Sequence, residues 1–240
     1  MEEYASFLRK LAYIAWLAIF PIVLWMSFTG QAEAVEFVKS KGKLSDRDFY
    51  RLVACAAVPG GKCQKPFMKW DARDRSRLTI GFTEIDPNFS ERKKEHAWKA
   101  LQNAVGQVNR VGADIELVWI SGGRPDISVK LTAGSIDDAG RNQRTVADYA
   151  LFKGAGAVAE VRLARGSSVI ASASITITAR IKDKYLKSVM LEEVVQSLGL
   201  MTDIHNPYYH KRSIFSEVGS DIIQLRGQDA KALLSHYPRQ

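Results

Sequence analysis

Ala97, Trp98, Leu101, Ala104, Val105, Val108 and Val111 recur at intervals of three and four residues, the period of one face of an α-helix. A strand would scatter that set over both its faces, so the segment commits the chain to a long helix lying on a core. Asn88 with Glu91 supplies an N-terminal cap and Gly112 a C-terminal stop. Lys93, Lys94, Lys99 and Arg110 belong to its wet side. Directly upstream, "RLTIGFTEI" sets Leu78, Ile80 and Phe82 on one side and Thr79 and Thr83 on the other. That is strand alternation, and Asp86-Pro87-Asn88 ends it.

The same two periods organise the rest. "DIELVWIS" and "DISVKLT" read as two strands around the turn "GGRPD". Residues 133–155 are polar and glycine-rich, and "DDAGRNQR" suggests an exposed loop. "GAVAEVRLARG" and "SSVIASASITITAR" read as a hairpin. In its second strand Val169, Ala171, Ala173, Ile175 and Ile177 face one side; Ser172, Ser174, Thr176 and Thr178 face the other. A helix follows over 183–198, and Asp229–Tyr237 reads as a final short one. Ahead of the first strand, 35–44 has the look of a linker, Ser45 and Asp48 open a short helix ending near Cys55, and "KPFMKW" is extended. The order predicts an α+β fold, a mixed sheet with helices on one face. It divides into 35–74 (linker, short helix and Cys loop) and a main domain over 75–240.

Residues 1–34 stand apart. Arg9 and Lys10 precede an apolar run from Leu11 to Phe28, and Ala32-Glu33-Ala34 offers a small-x-small cleavage pattern. Two readings follow: a cleaved secretory signal, or an anchor retained in the inner membrane through 11–28. Both export the remainder to the periplasm or cell envelope. Removing 1–34, with two basic and three acidic residues, takes the net charge from +8 to +9. That surplus favours anionic partners such as membrane surfaces or anionic polymers, with an ordinary solvated basic surface as the plainer reading; the partner expected is a protein or an anionic envelope component. No basic run alternates with aromatics, so nothing points to nucleic acid. An exported chain permits a disulfide, and "CAAVPGGKC" predicts one between Cys55 and Cys63 across a short turn. Two buried free thiols are the alternative.

The chemical question concentrates in "MLEEVVQSLGL", Met190–Leu200. On a helix Glu192, Glu193, Gln196 and Ser197 share one arc, and Leu186, Met190, Leu191, Val194, Val195 and Leu198 the other. The plain reading is an amphipathic helix with a solvated polar face. After Gly199 the chain carries Thr202, Asp203, His205 and His210, polar groups able to return toward that face. Two adjacent carboxylates with Gln196 and Asp203 could equally hold the following loop by hydrogen bonds.

The string "EEVVQSLGLMTD", followed by "SIF" and a short terminal helix, resembles the bacterial domain-of-unknown-function 2927 family, which is similar to a degenerate metzincin of the matrixin-like kind. The metzincin pattern is H-E-x-x-H-x-x-G-x-x-H, then a methionine turn. The resemblance covers about residues 75–237. It places Glu192 at the first ligand position, Glu193 at the catalytic base, Gln196 at the second ligand and Gly199 at the turn, with Ser197 and Leu198 as motif residues between them. Thr202 stands at the third ligand, with Asp203 one residue later. Ser213-Ile214-Phe215 stands at the methionine turn, Phe215 replacing the methionine. The implied fold is metzincin-like, with a long helix after the first strand, an active-site-type helix and a short C-terminal helix.

The departures weigh on the chemistry. Glu192 is able to ligate zinc, but the Gln196 amide is a weak neutral donor better suited to hard cations, and Thr202 is poorer still. A zinc cofactor is therefore doubtful. An oxygen site at Glu192, Gln196 and Asp203, or substitution by His205 or His210, are the metal-bound alternatives. Three functions stay open: a non-peptidase binding or assembly factor, an atypical metallopeptidase with Glu193 as general base, and a basic module for polyanions or membrane surfaces.

Overall fold

The computed structural model describes residues 37–134, 136, 149–153, 156–218 and 221–239; the Leu11–Phe28 run and "DDAGRNQR" lie outside them. In chain order the elements are β1 (Phe37–Lys39), α1 (Asp46–Cys55), β2 (Lys69–Trp70), β3 (Leu78–Ile85), α2 (Glu91–Val111), β4 (Leu117–Trp119) and β5 (Ile127–Thr132). Then come β6 (Tyr149–Lys153), β7 (Ala157–Leu163), β8 (Val169–Thr178), α3 (Leu186–Gln196), β9 (Asp203–His205) and α4 (Gly227–His236). The fold is α+β. Its mixed sheet runs β4-β3-β5-β8-β7-β6, the first four strands parallel, with β2 pairing in parallel onto β8. The hairpin β7–β8 is antiparallel, and so is β6 on β7. Among the described residues no helix is long and apolar enough to cross a membrane.

Alternation sets which face meets the helices. Ile127, Val129 and Leu131 of β5 are buried, and the residues between them are half-exposed. They join Ala173, Ile175 and Ile177 of β8, Ala97, Leu101, Ala104 and Val108 of α2, and Met190, Leu191 and Val194 of α3 in one core.

The strands around "GGRPD" do not pair with each other. Both lie parallel to β3, on opposite sides, in register with the same residue: Ile80 pairs with Trp119 and with Ile127. The intervening loop must therefore cross β3. It crosses at Gly81, where a Cβ would stand 2.5 Å from the Ile120 carbonyl oxygen. The Asp126 carboxylate pins the crossing, accepting from Thr79 N at 2.8 Å and Thr79 Oγ1 at 2.6 Å.

Other expectations shift in register. β8 does not keep one phase: Ile170 is buried and Ala171 exposed, because Arg162 pairs with Ser172 but Leu163 with Ile170. Ala171 is the extra residue of a β-bulge, and a bulge moves the alternation by one. Helix α2 starts after Ser90, not Asn88; the Asn88 N–H instead donates to Asp86 Oδ1 at 2.8 Å in an Asx-type turn. Lys93 is not on the wet side, since its Nζ donates to Ala179 O at 2.5 Å. Part of the loop expected over 133–155 is strand β6, and Ile136 is buried.

Of the expected linker, the segment 37–44 is no linker. β1 pairs in parallel with β9, Val38 and Leu44 are buried, and Asn206 Nδ2 donates to Ser40 Oγ at 2.9 Å and Gly42 O at 2.8 Å. With only two buried apolar side chains, it carries too little periodicity to announce a strand. Helix α1 begins as expected, Ser45 Oγ accepting from Asp48 N at 3.1 Å, and packs on α4. Cys55 and Cys63 form a disulfide. Because it closes a short loop, reduction or Cys63→Ser should lower stability by at most about 3 kcal/mol, read from urea unfolding with and without reductant.

Candidate functional site

From Met190 to Gln196 helix α3 is buried on every side. Its expected wet arc is 4% exposed at Glu192, 1% at Glu193 and 0% at Gln196. The amphipathic, solvated reading is thereby corrected. Helix α2 and strands β7 and β8 cover α3 on the apolar side. Periodicity reports which residues are polar, but not whether later chain returns to cover them.

The chain returns because α3 ends abruptly. Gly199 takes φ +100°, a left-handed conformation suited to glycine, and a Cβ there would overlap the Met68 carbonyl oxygen. The helix-terminal carbonyls are met by side chains. Trp70 Nε1 donates to Ser197 O at 3.1 Å, and the Tyr237 hydroxyl to Leu198 O at 2.7 Å. That hydroxyl also accepts from Trp70 N at 3.1 Å. Alongside, His236 is fully buried, with Nε2 2.8 Å from Met68 O. A carbonyl only accepts, so the imidazole is the Nε2–H tautomer and its Nδ1 accepts from the Tyr50 hydroxyl at 3.3 Å. Burial pushes His236 down to about 3.

Two of the four singled-out residues meet directly: Gln196 Nε2 donates to Asp203 Oδ1 at 3.2 Å, both side chains buried. This bond ties the end of α3 to β9, which in turn pairs with β1. Gln196 Oε1 and Thr202 Oγ1 are buried with no hydrogen-bond partner among the described residues. His205 and His210 are exposed, and His205 Nδ1 lies 3.2 Å from Glu217 Oε2. Among the described residues no three His, Cys, Asp or Glu side chains gather as a metal site would require.

The "SIF" turn is held from α4. Ser213 Oγ donates to Asp229 Oδ1 at 2.6 Å and Ile214 N to Asp229 Oδ2 at 3.0 Å, while Phe215 N donates to Ser213 Oγ at 3.1 Å. Phe215 packs edge-on against Phe49. Burial lifts Asp229 to about 7, against the pull of those two donors. Asp229, His236 and Trp70 were not among the site residues expected from sequence. An acid in the first turn of α4 is a signal for Asp229; for His236 and Trp70 no local signal exists, because their partners lie far away in sequence.

The donor set does not suit zinc. Gln196 presents a neutral amide whose nitrogen is already engaged by Asp203, Thr202 offers only a hydroxyl, and the buried imidazole of His236 is engaged by Met68 O and the Tyr50 hydroxyl. What the cluster does chemically is join helix end, loop and β9. No protein-family model matches the chain, and no curated protein matches it.

Proposed function

We propose that this chain is an exported, envelope-located binding or assembly module built on a zincin-like scaffold without zinc-peptidase chemistry. One observation carries the reading. The second and third ligand positions of the metzincin pattern hold Gln196 and Thr202, both sealed from solvent, and Gln196 is bonded to Asp203. A hydrolytic site needs an open metal position that substrate and water can reach. The element order, with the long helix α2 after β3 and the short α4 at the end, supports the scaffold; the Leu11–Phe28 run supports export.

Metal analysis of the purified full chain is expected to find no stoichiometric zinc, and Glu193→Gln to change no peptide cleavage. A tightly held zinc on every chain, or metal-dependent cleavage that drops in Glu193→Gln, overturns the proposal and favours the metallopeptidase.

A further inference from the structure

The sheet face turned away from α2 and α3 holds a cleft of about 830 Å³. That volume is typical of small-molecule sites. Central parallel strands are ordinarily covered on both faces. Here β5 and β8 instead present Ser128, Ser172 and Ser174 to the cleft, small residues that leave its floor low. The loop that crosses β3 at Gly81 builds one wall through Arg124 and Asp126. Strand β7 supplies Glu160 and Arg162 on the other side, Arg162 opposite Ser172 where the bulge begins.

The charges in this cleft are not equally engaged. Asp126 is held by Thr79, Glu160 accepts from Ser174 Oγ at 3.1 Å, and Lys130 Nζ lies 3.4 Å from Glu84 Oε2. Arg124 and Arg162 are both exposed and make no hydrogen bond or ion pair with any described residue. Both carboxylates are therefore committed to neighbours, while among the described residues neither guanidinium group is. A guanidinium presents a planar fork of donors matched to carboxylate or phosphate oxygens. Among the described residues lining the cleft none is aromatic, and its polar lining is the stronger signal.

We propose that this cleft binds a small oxyanion ligand, its carboxylate or phosphate oxygens held by Arg124 and Arg162 with Ser172 as a neutral donor. The cleft faces away from α3, so its occupancy is independent of whether that helix holds a metal.

Calorimetric titration of the full chain with citrate and, separately, with inorganic pyrophosphate tests this and distinguishes the carboxylate from the phosphate source. At least one is expected to bind with Kd below about 1 mM at low salt. Arg124→Ala and Arg162→Ala should each weaken it by about tenfold, as loss of a charge-assisted bond predicts. Arg180→Ala with Lys184→Ala, exposed cations outside the cleft, controls for general charge and should change affinity less than about twofold. Circular dichroism establishes that each variant is folded. Binding of neither probe, or a loss in the control matching that in the cleft variants, overturns the proposal.

Discussion

Gly199→Ala should cost about 3 kcal/mol or more, read as a lowered urea midpoint or as loss of soluble protein. Two penalties combine. The φ of +100° is a conformation that L side chains rarely adopt, and the added Cβ would overlap the Met68 carbonyl while lying 2.9 Å from His236 Nε2. Relieving that overlap must displace the Met68–Trp70 segment, and with it the bonds from Trp70 to Ser197 and Tyr237. Gly60→Ala is the control. Its φ of +72° is also left-handed, but a Cβ there meets nothing, so it should show the backbone penalty alone, about 1 kcal/mol. Equal losses in the two variants would refute the close-approach argument.

Two buried groups should give the protein opposing pH responses. His236 titrates near 3 in the fold against an ordinary 6.5. Between those values the unfolded chain binds the extra proton, so His236 takes stability away as pH falls. Asp229 titrates near 7 in the fold against an ordinary 3.8. There the folded chain binds the extra proton, so Asp229 adds stability as pH falls through 7 and removes it as pH rises. From about pH 4.5 to 6.5 the two contributions nearly cancel, and each alone amounts to about 1.4 kcal/mol per pH unit. Asp229→Asn should therefore lose stability steeply on acidification over that range, and His236→Gln should gain it. Urea unfolding of both variants and the parent at several pH values measures the slopes. Identical slopes in all three would sink the assignment of these groups.

The helices were legible because each carries its own period and punctuation. The spacing from Ala97 to Val111 with Gly112 marks α2, and Ser45 with Asp48 marks the start of α1. The β7–β8 hairpin and the Cys55–Cys63 link were legible for the same reason: short sequence distance leaves few alternatives. Pairings between distant segments were not. β1 is three residues long, and what makes it a strand is β9, more than 160 residues later. Nor does alternation in β4 and β5 say that β3 lies between them. That depends on Gly81 admitting a crossing loop.

At the candidate site, residue types alone argued that Gln196 and Thr202 are poor zinc ligands, because donor chemistry is a property of the side chain. Whether Glu192, Glu193 and Gln196 face water was a different matter. Helical period places them on one arc, but their burial is a matter of tertiary packing; for Gln196 the chain that reverses at Gly199 brings Asp203 of β9 against it. Local order determined the elements and the chemistry each carries; only tertiary packing decided which polar faces are sealed, because a helix's own period does not encode which other segments pack upon it.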